Sequence, residues 1–102
     1  MAPARRSPRS KAHRSPPASL EDLANVGPAT LRDFEVLGIM SVSQLKSRNA
    51  IGLWKELGRR TGARHDPCCI DVFMSAIAQA NGAAPCPWWH FTTERKRMMR
   101  RE

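Results

Sequence analysis

The sequence has no tyrosine and only three phenylalanines among its 102 residues. The three tryptophans are therefore expected to carry much of the large apolar surface of any core, with at least one indole closing it. No run approaches the roughly 18 consecutive apolar residues of a membrane helix, so no membrane span is expected. The basic N-terminus has no apolar stretch behind it, which argues against a secretory leader. Cysteine is scarce and odd in number, three in all, which argues against a disulfide framework and for a reducing compartment. The expected location is cytoplasmic. Period-two alternation is nearly absent, so strands are not expected. Also missing are a carboxylate pair, a serine triad and the phosphate loop of nucleotide hydrolases. The balance leans away from an enzyme, and no cofactor is implied.

Acid is missing from one region in particular. Residues 1–17 hold Arg5, Arg6, Arg9, Lys11 and Arg14 with no Asp or Glu, a charge of +5. Four prolines and little to bury mark this stretch as a disordered basic arm. Residues 94–102 add +3, as a basic C-terminal helix or tail. The remaining span, 18–93, has seven bases and seven acids, so the whole-chain charge of +8 sits in the two ends. A polyanionic partner is indicated for the ends and not for the middle.

What is present in the middle is helix punctuation. Ser19 stands three residues before Asp22, a capping pattern that predicts a short helix near 20–25. In Asn25-Val26-Gly27-Pro28, Gly27 allows a positive φ, Asn25 tolerates one better than most residues, and Pro28 is expected to open a helix over 28–37. Leu31, Phe34 and Leu37 give that helix its apolar face, and Gly38 stops it with Ile39 placed for the closing apolar contact. Ser41 and Gln44 predict a second capping box, running through about Lys46. Asn49 caps a helix near 50–61 that Gly62 ends, and Asp66-Pro67 opens one carrying Ile70, Phe73, Met74 and Ile77 to Gly82. Thr92 or Thr93 is placed to cap a last basic helix. The expected fold is all-α, a compact helix-hairpin-helix domain of four to six short helices over residues 18–93.

The hairpin at 25–28 sets backbone N–H groups beside a fresh helix start, which suits a phosphate. Its donors would be Gly27, Ala29 and Thr30, with Arg32 the nearest cation; a plain packing corner is the competing interpretation. The stretch LEDLANVGPATLRDFEVLGIMSVSQLK, with RTGARHDPCCIDVFMSAI and WWHFTTERKR, resembles a small bacterial helix-hairpin-helix family labelled pathogenicity-locus or mitomycin-resistance protein. The resemblance spans residues 20–97 and implies a helix-hairpin-helix domain with a link to DNA, without an established activity. Asn25 departs from the glycine usual in phosphate-gripping hairpins, and Ala29 and Thr30 depart from more polar residues. Both departures favour a competing use of the hairpin, in protein contact.

Three further groups compete for function. Cys68 and Cys69, just inside the helix opened by Asp66, sit where a helix dipole lowers a thiol's pKa, with His65 beside them. Asp66 opposes that effect, and a structural role for Cys68 outweighs a catalytic one with His65. Cys68, Cys69, Cys86 and His90, with His65, offer N/S ligands, but their spacing lacks the two compact pairs of a zinc site, so no metal is expected. Arg59, Arg60 and Arg64 cluster as phosphate contacts, or else as a solvated loop paired with Glu56 and Asp66. Trp88 and Trp89 offer stacking or docking faces.

The expected function is sequence-independent binding of nucleic acid, DNA ahead of RNA, through the hairpin backbone at Gly27, Ala29 and Thr30. Arg32, Arg59, Arg60, Arg64 and the basic ends would supply electrostatics. The alternatives are a protein-interaction module with a degenerate hairpin and, less favoured, a thiol-dependent enzyme using Cys68.

Overall fold

The computed structural model describes residues 19–100; the basic arm expected over 1–17 and the final residues 101–102 lie outside them. The described chain begins with a 3₁₀ turn at Leu20–Asp22 and enters α1, Pro28–Leu37. A second 3₁₀ turn, Val42–Leu45, leads to α2, Ala50–Thr61, and then to α3, Cys68–Ala80. A third turn at Trp88–Phe91 runs directly into α4, Thr92–Arg100. The fold is all-α, with no strand among the described residues.

Several boundaries fall where the punctuation puts them, for local reasons. Asn49 Oδ1 accepts from the Gly52 amide at 2.8 Å and starts α2. Gly38 ends α1 at φ 78°, where a side chain would be strained, and the Ile39 amide reaches back to the Phe34 carbonyl at 2.8 Å. Ile39 is thereby turned into the core. Asp66 Oδ1 accepts from the Cys68 amide at 2.7 Å, but α3 starts at Cys68 with Pro67 at its N-cap, one residue later than expected. The helix expected near 20–25 does not form beyond one 3₁₀ turn. The Ser19 hydroxyl bonds the Asp22 carboxylate at 2.9 Å and not a backbone amide, and the chain becomes extended at Leu23.

The core lies where α1, α2 and α3 meet. Phe34 and Phe73 face each other at 5.7 Å between ring centroids, and Leu37, Ile39, Leu45, Leu53, Leu57 and Ile70 close around them. Removing either Phe ring would cost about 3–5 kcal/mol by the usual sum of lost transfer energy and residual cavity. The expectation that tryptophans build the core is overturned. Trp54 packs against it only in part, while Trp88 and Trp89 are 37% and 63% exposed. Aliphatic side chains from three helices already fill the volume, and the 88–91 turn lies outside it.

One face of α3 is polar and buried. Asp71, Ser75 and Gln79 recur at four-residue steps, so they line up along the helix. Gln79 holds the backbone of Ala24 at both ends, accepting from its amide at 2.9 Å and donating to its carbonyl at 3.1 Å. Ser75 accepts from Asn25 Nδ2 at 3.1 Å. Asp71 accepts from the Thr92 hydroxyl at 2.8 Å and from Arg95 Nε at 3.0 Å. The same helix thus fixes both the segment leading into α1 and the start of α4. Arg95 belongs to the basic C-terminal segment, yet its charge is spent on a fully buried carboxylate, which holds the guanidinium pKa above its ordinary value. Met98 and Met99 pack beside it against the core.

Candidate nucleic-acid interface

Of the two residues able to take a positive φ at the corner before α1, the structure uses the first. The left-handed residue is Asn25, at φ 71°, while Gly27 is extended at φ −106° and ψ −172°. Asn is among the few non-glycine residues that enter this region at modest cost, because its short polar side chain can bond locally. Here the side chain also donates to the Cys86 carbonyl at 2.7 Å as well as to Ser75. The departure from glycine at position 25 therefore preserves the tight turn and anchors it.

Gly27 is left without an internal reason to be glycine. Its φ suits any residue, and a Cβ built there meets no atom within 4 Å. The first intrahelical bond runs from the Leu31 amide to the Gly27 carbonyl at 3.0 Å. The amides of Gly27, Ala29 and Thr30 have no acceptor among the described residues, and Pro28 has no N–H. The first turn of α1 carries no acid, and Arg32 is exposed one turn further on. A helix start of this kind presents roughly half a positive charge together with aligned donors. Chemically, it can hold an anion against backbone.

The arginines do not converge on this corner. Arg60 pairs with Glu56 at 2.8 Å and donates to the Val36 carbonyl at 3.1 Å. Val36 lies eight residues along α1 from Pro28, about 12 Å at the helical rise. Arg60 thus sits towards the far end of α1. Segment 57–64 forms the last turns of α2 and its left-handed stop at Gly62, φ 69°. Arg64 lies over the Trp54 ring, 5.8 Å from its centroid, and Arg59 is exposed on α2 with no ion pair among the described residues.

The cysteines are not activated. Asp66 bonds the Cys68 thiol and amide, which pushes that thiol up and holds the carboxylate below its usual range. Burial pushes the Cys69 thiol up, with Asp33 adding to the effect. The anticipated lowering by the helix start is overcome by these carboxylates and by desolvation. His65 is not aimed at Cys68: its Nε2 meets the Thr61 hydroxyl at 2.8 Å. That hydroxyl gives its proton to the Leu57 carbonyl at 2.8 Å, so the imidazole nitrogen is the donor. The two thiols line a small cleft, about 160 Å³, shared with Thr30, Asp33 and Trp88. Asp33 is half-buried there, and burial raises its carboxyl despite nearby His65 and Arg32. Cys86 lies in the loop that receives Asn25, and His90 stacks edge-on with Phe91 at 5.1 Å. Among the described residues no three His, Cys, Asp or Glu side chains gather as metal ligands.

Sequence reasoning missed the anchoring of the turn before α1 by Gln79, Ser75 and Asn25. The signal was available in part: polar residues at four-residue spacing on an otherwise apolar helix. It also missed Trp54, which the structure places beside Arg64.

Among known proteins, the chain is similar to the Mitomycin resistance protein McrB of Streptomyces lavendulae, with 43% identity over 82 residues, covering 80% of this chain and 78% of the relative. No solved structure matches it. The family model described as Pathogenicity locus matches residues 13–97, which takes in the turn before α1, all three core helices and most of α4. With that span and that relative, the chain belongs to the pathogenicity-locus family.

Proposed function

We propose that the protein binds nucleic acid, DNA ahead of RNA, without reading its sequence, by seating a backbone phosphate on the hairpin before α1. The observation that carries this reading is the set of open amides at Gly27, Ala29 and Thr30, beside a glycine that the fold itself does not need. A glycine free of internal demand is what close approach by an outside group would require. Phosphate contacts of this type position a protein on its target and carry no sequence information. Arg32 adds charge beside the hairpin, while Arg60 lies at the other end of α1. The basic ends supply long-range attraction that salt would weaken.

Binding of random-sequence duplex by the full chain, at two salt concentrations, tests the reading. Gly27→Glu is the informative variant because its side chain has open space and its backbone needs no glycine. A carboxylate there would occupy the amides and repel phosphate, lowering affinity about 10- to 100-fold, the worth of one lost charge-assisted contact. Equal binding by variant and parent removes the hairpin from the interface. Removing residues 1–17 is the necessary control, since that arm alone carries +5.

A second reading, a protein-interaction module, is favoured by one observation. Trp88 and Trp89 are exposed side by side, edge to face at 6.0 Å, and exposed aromatics of this kind anchor partners. A partner lost with Trp88→Ala and Trp89→Ala but kept with Gly27→Glu would support it. The relative's link to mitomycin resistance enters here as a cellular readout. On the nucleic-acid reading, Gly27→Glu lowers any mitomycin tolerance the protein confers.

A further inference from the structure

The turn at Trp88–Phe91 is tied to the corner before α1. Two residues ahead of it, the Cys86 carbonyl accepts from Asn25 Nδ2 at 2.7 Å, and the turn itself packs against α3. Trp88 thus shares its cleft of about 160 Å³ with Thr30, whose amide is one of the open donors. Trp89 comes next in the chain and is the more exposed of the two indoles. It meets Trp88 edge to face, at 6.0 Å between ring centroids.

The chain then enters α4 without a break. The exposed residues of that helix, Thr93, Lys96, Arg97 and Arg100, recur at steps of three and four and share one face. Not all of its charge is available. Arg97 pairs with Glu94, whereas Lys96 and Arg100 have no ion pair among the described residues. These two stand one turn apart, about 6 Å along the helix axis. On the inner side Arg95 is committed to Asp71, and Met98 and Met99 pack against the core. A helix lying in a lipid boundary would need that apolar side for itself. Two unpaired cations beside an exposed indole therefore favour a strand of nucleic acid.

We infer that an unpaired strand, leaving a duplex seated at the turn before α1, passes Trp88, stacks a base on Trp89 and sets phosphates against Lys96 and Arg100. The inference rests on the nucleic-acid reading above and adds the class of target: duplex with a single-stranded extension, ahead of blunt duplex. Bases paired inside a duplex have no free face to give an indole. Blunt duplex would therefore meet the amides of Gly27, Ala29 and Thr30 and leave Trp89 and the outer face of α4 unused.

The experiment measures, by fluorescence anisotropy, the affinity of the full chain for a labelled blunt duplex and for the same duplex with an oligothymidylate extension. The parent is expected to prefer the extended duplex about 5- to 100-fold, the worth of one stacked base. Trp89→Ala should remove most of that preference by weakening the extended complex. Lys96→Gln combined with Arg100→Gln should lower the salt slope for the extended duplex by about 1.4, at about 0.7 per single-strand phosphate. All three side chains are exposed, so these replacements leave the core intact. Equal affinity for the two duplexes overturns the inference, as does a preference that neither variant reduces, or the absence of all binding. Binding to phosphatidylserine vesicles that the same variants abolish, with no preference between duplexes, overturns it in favour of a lipid surface. Gly27→Glu separates the two proposals. Blunt-duplex binding insensitive to it, with the preference still lost in Trp89→Ala, removes the hairpin contact alone and leaves the strand path along α4. Blunt-duplex binding weakened by it, with no preference in the parent, removes the strand path alone.

Discussion

The two ends of α1 offer an anion opposite kinds of surface. At the start, the donors are backbone amides of Gly27, Ala29 and Thr30, held by a turn that Asn25 and Gln79 anchor to α3. Towards the other end, the donor is the side chain of Arg60 on α2, already engaged by Glu56 and by the Val36 carbonyl. The first surface is rigid and nearly independent of side-chain identity, while the second is adaptable and pays rotamer entropy on binding. A domain whose central span is electrically neutral can therefore still present an anion site, through geometry instead of net charge.

The largest expected effect falls on the stability of the domain that carries both ends of α1. Arg95→Ala would leave the fully buried Asp71 carboxylate without its cation, at a cost of about 3–5 kcal/mol. Thermal unfolding checks this, and a small shift would mean that Asp71 is satisfied without Arg95. Next comes the contrast within α1. Gly27→Glu should weaken duplex binding about 10- to 100-fold, whereas Arg60→Ala should cost only about twofold, because Arg60 is already paired. The reverse order would place the main contact at the arginine end.

A smaller effect sharpens the account of the turn. Asn25→Ala would put a side chain with no local hydrogen bond at φ 71° and remove the bonds to Ser75 and Cys86, destabilising the fold by about 1–3 kcal/mol. Asn25→Gly keeps the conformation and should be milder. Equal losses in chemical denaturation would show that the bonds matter and the backbone conformation does not. The smallest effect concerns Cys68. Its alkylation should rise through a pKa above the ordinary thiol value, because the thiol must ionise beside a carboxylate. Asp66→Asn should bring that midpoint down, measured as alkylation rate against pH. Asp66 itself has a lowered pKa, so its capping contribution is present above the usual carboxyl range and lost as pH falls through its folded value.

The sequence made some of these features legible and hid others for physical reasons. Asn49 with Gly52 and Gly38 with Ile39 are local devices, complete within a few residues, and the structure uses them as read. Ser19 and Asp22 form an equally local pattern, but the hydroxyl has a carboxylate as well as an amide within reach and takes the carboxylate. Which residue takes positive φ in the hairpin was decided from afar, by Ser75 and Cys86, 50 and 61 residues away. Tryptophan count misled for a similar reason: the size of a side chain says nothing of whether the packed helices leave room for it. Trp54 meets Arg64 only because the chain passes the left-handed stop of α2 at Gly62 before reaching that arginine.

The central claim, that the hairpin backbone itself touches nucleic acid, is tested most directly by following amide resonances of isotope-labelled full chain as duplex is added. The account predicts the largest shifts at Gly27, Ala29 and Thr30, with smaller ones at Arg32 and the basic ends. Shifts confined to residues 1–17 and the arginines of α2, with the hairpin amides unmoved at saturation, would contradict it.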